Sequence, residues 1–338
     1  MTRTKTLATS LLSLTTAGVL ALGSGGGATA APSVDRGTDA STVSSLSTSD
    51  SNTADYWTPE RMKNAVAGDV LADKALSRGQ AKVDRGALHV SSGPDRTLTI
   101  QGQKASSAAP QSPTVDRKAN ASESPVPHIG KVFFTLGGVN YVCSGNSVTS
   151  TNQSTVSTAG HCVNEGPGAF STKFTFVPAY SNGAAPYGKW TAKALYTTNQ
   201  WSSSGDMQYD TGFAVMNTLN GQKLSAVVGA SGVQFNGARG LVYKSFGYPA
   251  APPFDGESLK SCSGTATDDP KDPQDNTQGI PCNMTGGSSG GPWFIGTSSG
   301  GYQNSVSSYG YGSNSTTMYG PYWGTVIHGT YQAASTAP

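Results

Sequence analysis

An all-β protein, with residues 126–338 long enough for two small barrels, is the fold this sequence predicts, on three observations. From Lys131 onward, short runs of β-prone residues recur between Gly, Pro, Asn and Ser turns, with no helical patterning between them. Charged residues are only 12 % of the 338, while Gly alone accounts for 43, a balance that suits an exported β-rich chain. All four cysteines, Cys143, Cys162, Cys262 and Cys282, lie beyond residue 140. An even count in an exported chain points to two disulfides.

The formal charge of +2 comes wholly from Arg3 and Lys5, because residues 32–125 and 126–338 each carry equal numbers of acids and bases. No basic field is left to attract nucleic acid or an anionic membrane. The two cations precede a moderately apolar run from Leu7 to Leu22, which ends near Ala28-Thr29-Ala30. This is the pattern of a secretory signal over residues 1–30. Ser13, Thr15 and Thr16 interrupt the run, and no other stretch is long and apolar enough to span a bilayer. The expectation is a secreted, extracellular protein with no membrane anchor.

Residues 31–125 read as a propeptide with a linker. Residues 40–54 are rich in Ser and Thr, a composition expected to be disordered. Thr58-Pro59-Glu60 supplies a Thr N-cap, a Pro at the first helical position and an acid in the first turn. Met62, Ala65 and Val66 follow at helical spacing, and Val70, Leu71 and Ala75 extend the pattern beyond Gly68. Leu98 to Ile100 alternates like a strand, and residues 101–127 have linker composition. No catalytic constellation precedes residue 126. A cut between Arg117 and Pro127, with Glu123 one candidate position, would release residues 126–338.

Beyond the linker, Lys131 to Leu136, the Gly137-Gly138 turn and Val139 to Cys143 predict a hairpin. Further strands are expected at Ser154–Thr158, Phe174–Val177, Lys189–Tyr196, Phe213–Met216, Leu241–Phe246 and Tyr322–Ile327. Three stretches among them carry chemistry. Gly286-Gly287-Ser288-Ser289-Gly290-Gly291-Pro292 sets a serine in a turn whose glycines keep the backbone amides uncovered. A serine hydroxyl is a weak nucleophile and needs a base in hydrogen-bond reach, plus donors aimed at the oxygen that gains charge during acyl transfer. The amides of Gly287 and Ser289 suit the second task. Thr158-Ala159-Gly160-His161-Cys162 offers a base beside a cysteine that fixes its backbone. Asp210, in Tyr209-Asp210-Thr211-Gly212-Phe213-Ala214-Val215, precedes a strand that must be buried, where a carboxylate needs partners such as a His N–H. Each stretch alone has a bland reading: a Gly/Ser surface loop, a structural histidine, an ordinary strand-end acid.

Together the three resemble the chymotrypsin-like serine proteases, in that family's order of His, Asp and Ser. Phe176-Val177-Pro178-Ala179-Tyr180, Pro186-Tyr187-Gly188, Gly247-Tyr248-Pro249 and Cys282 are similar to the secreted bacterial branch that includes the glutamyl endopeptidases. The resemblance covers about residues 126–330. It implies two antiparallel six-stranded β-barrels with the active site in the cleft between them, the first at about 126–220 and the second at about 221–338. It also implies His161 as general base, Asp210 as its orienter, Ser289 as nucleophile, and an oxyanion hole from Gly287 and Ser289. No cofactor and no metal is implied, and the expected partners are protein or peptide substrates of a monomer. One position departs from the family's animal digestive members. Ser288 stands where they carry the acid that pairs with a freed N-terminus, so activation here needs another device, for which removal of residues 31–125 is the candidate.

The expected disulfides are local, Cys143–Cys162 and Cys262–Cys282, although four cysteines allow three pairings. A zinc site is disfavoured, since there is no C-x-x-C and only one histidine adjoins a cysteine. Gly287-x-Ser289-x-Gly291 also fits the elbow of α/β-hydrolases, but residues 290–327 hold no Asp or Glu to precede His328 as that order requires. The non-enzymatic alternatives are an inactive protease fold or a secreted β-rich binding protein. For specificity, Asn283 falls at the base of the family's pocket, where the lack of an acid argues against cleavage after Arg or Lys. Ser307, Ser308, Tyr309 and Gly310 resemble the pocket wall, but without the His that glutamyl members place there.

Overall fold

The computed structural model describes residues 41–45, 52–76, 89–91 and 121–338. In chain order the elements are β1 (Ser41–Ser45), α1 (Thr53–Tyr56), α2 (Pro59–Lys63), β2 (Val66–Ala67), α3 (Asp69–Leu76), β3 (His89–Ser91) and β4 (Ala121–Ser122). Then come β5 (Ile129–Leu136), β6 (Val139–Val148), β7 (Thr155–Thr158), α4 (Gly160–Val163), β8 (Thr172–Pro178), β9 (Trp190–Thr198), α5 (Asn199–Ser204), a 3-10 turn at Met207–Tyr209, and β10 (Gly212–Met216). The remainder is α6 (Leu224–Val228), β11 (Val233–Phe235), β12 (Val242–Gly247), β13 (Lys260–Thr265), β14 (Thr267–Asp268), β15 (Thr277–Pro281), β16 (Pro292–Ile295), β17 (Gln303–Val306), β18 (Thr317–Pro321) and α7 (Thr325–Thr336).

The hairpin β5–β6 opens the first barrel in chain order. Leu136 pairs with Val139 across Gly137 and Gly138, whose φ of 57° and 80° give a turn that glycine tolerates best. The antiparallel order β5-β6-β7-β10-β9-β8 returns to β5, a closed six-stranded barrel. Its interior is apolar and fully buried, with Val132, Phe134, Val156, Phe176 and Leu195 all at 0 % exposure. The second half is built from the sheet β11-β17-β16-β12-β13 and the smaller sheet β14-β15-β18. No ladder joins β13 to β15. The Cys262–Cys282 disulfide and the ring of Pro281, which would lie 2.6 Å from a Cβ at Gly264, hold the two together instead. Pro281 has no N–H to give a ladder. Both disulfides are the local ones expected, Cys143–Cys162 and Cys262–Cys282.

Three elements differ from the sequence expectation. Tyr322–Ile327 is not a strand: α7 starts at Thr325 and lays Ile327, Tyr331 and Ala334 into a core shared with Phe213, Val233, Phe235 and Trp323, between the two halves. Ser41–Ser45, expected to be disordered, forms β1, antiparallel on the edge of β9. A Ser/Thr strand has little apolar surface to bury, and the ladder hydrogen bonds hold it instead. The helical run expected across Met62 to Ala75 breaks into α2 and α3, because Val66 and Ala67 pair parallel to β6 and the Gly68 N–H donates to Val142 O at 2.9 Å. Only glycine fits there, since a Cβ would stand 2.7 Å from Cys143 Sγ. The α2 start follows the expectation, with Thr58 Oγ1 accepting from the Arg61 N–H at 3.3 Å.

The N-terminal segment is therefore fastened to the body at several points. Trp57 is fully buried, donates Nε1–H to Lys173 O at 2.7 Å and packs on Phe133. The strand expected at Leu98–Ile100, residues 1–30 and residues 101–120 lie outside the described residues. The last part of the linker does not: β4 pairs with β13, and Glu123 accepts from Ser261 Oγ at 2.6 Å and meets Lys244 Nζ at 2.7 Å.

Candidate active site

His161 and Asp210 reach each other because β7 and β10 are neighbours in the first barrel, and each strand ends where its functional loop begins. β7 hands over through Ala159 to α4, a single turn that carries His161. Asp210 precedes β10, whose Gly212 pairs with Thr158. The contact is close enough to require two of the motif glycines. A Cβ at Gly160 would lie 2.8 Å from Asp210 Oδ1, and one at Gly212 would lie 2.6 Å from Val163 Cγ2 and 2.9 Å from Ala159 O.

Asp210 is fully buried, and its carboxylate is partnered on both oxygens. Oδ1 accepts the His161 backbone N–H at 2.7 Å; Oδ2 lies 2.8 Å from His161 Nδ1 and accepts Ser308 Oγ–H at 2.5 Å. With Nδ1 donating to the carboxylate, Nε2 is left as the acceptor nitrogen. That Nε2 is buried and makes no hydrogen bond. Trp201, also fully buried, backs the ring and donates its indole N–H to Asn164 O at 3.0 Å.

Ser289 is brought to the same place by the second half. Its carbonyl accepts the Ser144 N–H at 2.7 Å and sits 3.9 Å from Cys162 Sγ, beside the histidine turn. The glycines around it pack where no side chain fits: a Cβ at Gly290 would be 2.1 Å from Thr158 Oγ1, and one at Gly291 would be 1.9 Å from Phe246 O. Gly287 and Gly290 adopt φ of 94° and 79°. Ser288, Gly290 and Gly291 donate their amides to Thr285, Ser307 and Ser288 carbonyls. Among the described residues, the Gly287 and Ser289 amides donate to no backbone carbonyl, so the two expected oxyanion donors are uncommitted. Ser288 is turned inward, its hydroxyl donating to Thr285 O at 2.7 Å.

Beside Ser289 opens a cavity of about 330 Å³. Asn283, Ser308, Tyr309 and Gly310 line it, together with Met284, Thr317 and Met318. Ser307, also expected in the wall, does not: its hydroxyl accepts the Trp293 indole N–H at 3.1 Å, on the inner side of the sheet. The charged residues lining the cavity are Asp69 and Asp73, both from α3. Tyr309 reaches past the wall to donate to the buried Asp269 at 2.8 Å.

Three groups escaped the sequence reading. Ser308 was expected in the specificity wall but also bonds Asp210. Ser144 braces the serine loop through Gly287 O, with Tyr248 N–H bound to its hydroxyl, and a serine in a serine-rich chain carries no signal for that. The helical spacing of Leu71 and Ala75 was legible, but not that α3 lies in this cleft.

No family model matches the chain. A Bacillus subtilis (strain 168) protein named Extracellular metalloprotease is 34 % identical over 77 residues, 23 % of this chain and 24 % of that one, so the match spans about a quarter of the relative. Two solved structures are much closer. The protease Anisep from Arthrobacter nicotinovorans is 80 % identical, with 64 % of this chain covering 100 % of that one at a TM-score of 0.64. The thermostable serine protease AL20 from an extremophilic microorganism is 51 % identical, with 63 % of this chain covering 98 % of it at a TM-score of 0.61. A Glu endopeptidase shares the fold at 20 % identity and a TM-score of 0.52, over 64 % of this chain and 97 % of its own. As for metal, Cys143, His161 and Cys162 are the group within 4.8 Å among the described residues, but both sulfurs are tied up in the disulfide and offer no thiolate.

Proposed function

The chain belongs to the chymotrypsin-like bacterial serine proteases and hydrolyses peptide bonds, and from that premise we propose that His161, Asp210 and Ser289 are its catalytic triad. The observation that carries the assignment is the buried Asp210 carboxylate on His161 Nδ1 at 2.8 Å, beside a serine loop with two uncommitted amides. Ser289 Oγ attacks the substrate carbonyl carbon while His161 Nε2 takes its proton. Asp210 holds the tautomer and the imidazolium, and the amides of Gly287 and Ser289 receive the oxyanion. The same proton then goes to the leaving amine, and water hydrolyses the acyl-enzyme by the reverse path.

The cavity beside Ser289 is read as the pocket for the side chain preceding the cut bond. Residues 126–338 line it without a charged group, which supports uncharged side chains such as Leu, Met or Phe as its occupants. Residues 1–30 are read as a secretion signal and residues 31–125 as a propeptide removed from a secreted monomer. Supporting this, the whole Anisep chain is covered by 64 % of this one, about the share that residues 126–338 make up. No helix among the described residues is long and apolar enough to cross a membrane.

One digestion tests both parts. The processed protein and its Ser289→Ala variant are given a peptide library, and the cut bonds are read by mass spectrometry. Cleavage after uncharged side chains by the native protein, and none by the variant, is expected. Undiminished cleavage by Ser289→Ala would refute the triad; cleavage mainly after Arg, Lys, Asp or Glu would refute the pocket.

A further inference from the structure

We propose that α3 is a built-in inhibitor: the substrate side of the cleft is a docking surface for the chain's own N-terminal segment, which holds Asp69, Ala72 and Asp73 against the serine loop. This rests on Ser289 being the nucleophile, and it adds how that nucleophile is kept from substrate.

Asp69, Ala72 and Asp73 stand at i, i+3 and i+4, on one face of the helix, and that face lines the same cavity as Gly286, Ser288 and Ser289. The Asp69 carboxylate lies against Gly286 so closely that a Cβ there would be 2.0 Å from Oδ1 and 2.3 Å from Oδ2. Gly286 immediately precedes the candidate oxyanion donor Gly287, so a carboxylate covers the approach to the site that must receive negative charge from a substrate. On this inference a substrate chain reaches Ser289 only after α3 has left, because the helix face forms a wall of the cavity onto which the serine loop opens.

The helix is anchored to both halves of the body. Leu71 joins the core of the first barrel. Ala72 and Ala75, 1 % and 2 % exposed, pack with Trp201 and Met207 from the first half and Tyr309 and Tyr319 from the second. Lys74 meets Glu165 at 2.5 Å. Upstream, the ladders β1–β9 and β2–β6 and the buried Trp57 secure the segment that delivers α3. Tethering on one chain keeps the local concentration of the helix high, so individually modest contacts suffice.

The test uses the full-length chain, its uncut state checked by intact mass, and follows the rate at which a fluorophosphonate labels Ser289. Ala75→Arg puts a long cation into the α3–body contact without changing the body. Val70→Arg changes the outward side of α3, where Val70 is 48 % exposed. A helix seated about 99 % of the time lowers the labelling rate about 100-fold. The expectation is therefore slow labelling of the native and Val70→Arg chains and labelling about 100-fold faster for Ala75→Arg. Should Ala75→Arg fail to fold by circular dichroism, Lys74→Glu replaces it, with about a 3-fold acceleration expected from reversing one surface ion pair. Rapid labelling of the native uncut chain at Ser289 overturns the inference and leaves the nucleophile standing. So does slow labelling of the folded variant when the processed protein reacts fast. If Ser289 is labelled in none of these, nor in the processed protein, the nucleophile assignment fails and the inference falls with it.

Discussion

Asp210 shows how closely the residues of this site depend on one another. A carboxylate with no exposure is costly to bury unless its charge is met, and here His161 meets it twice and Ser308 once. The Ser308 hydroxyl donates to the acid, so its part is to hold the acid in place. Ser308→Ala removes one hydrogen bond to a charged group and is expected to lower kcat about 10-fold with KM little changed. Steady-state kinetics check this, and an unchanged kcat would remove Ser308 from the account. The proposed His161, Asp210 and Ser289 stood out in the sequence because acyl transfer demands those residue types and the three stretches together resemble a known family; only the fold shows that Gly160, Gly212 and Gly290 lie where backbones pass too close for a side chain. Ser144 and Ser308 were not legible as supports, since a hydroxyl's partner is set by the fold and not by its neighbours in sequence.

At the scale of elements, legibility followed local signals. The β5–β6 hairpin was announced by its Gly-Gly turn, and the start of α2 by Thr58-Pro59-Glu60. α7 was missed because Tyr322 to Ile327 has strand-like composition, while the burial of Ile327, Tyr331 and Ala334 at helical spacing is decided by a core shared between the halves. β1 was missed because its only asset is a free edge on β9. The connection from β14 to β15 carries a different kind of information, the acids Asp269, Asp272 and Asp275, of which Asp269 is buried and accepts from Tyr309. Burial first, then the nearby charges of Asp272, Asp206 and Asp269, push the Asp275 carboxyl up from its ordinary 3.8 to about 7. The folded chain thus holds a proton that the unfolded chain has lost, between about pH 4 and pH 7. Stability contributed by this group is present at low pH and declines as pH rises through 7. Asp275→Asn, which keeps the shape without the charge, should leave Tm nearly unchanged at about pH 4 and raise it by about 2 °C at about pH 8, a value discounted for partial exposure. Thermal unfolding at the two pH values checks this; an equal difference at both would contradict it.

For the whole molecule, the family resemblance carried by the His, Asp and Ser stretches implied two halves meeting at a cleft. The structure adds that the halves are not equivalent. The first is a closed barrel; the second is two sheets held together by the Cys262–Cys282 disulfide and by packing. It also adds that, among the described residues ahead of 126, Trp57 and α3 pack onto the body and α3 lines the cleft, a long-range fact that no local pattern could carry. The central claim is that His161, Asp210 and Ser289 act as one catalytic unit. The most direct test is to measure kcat for Ser289→Ala, for His161→Ala and for the double variant in the processed protein. As in well-characterised serine-protease triads, each single change should cost on the order of 10⁴–10⁶, and the double variant should lose little more than either. A double variant whose loss is the product of the two single losses, or a Ser289→Ala protein that keeps its activity, would contradict it.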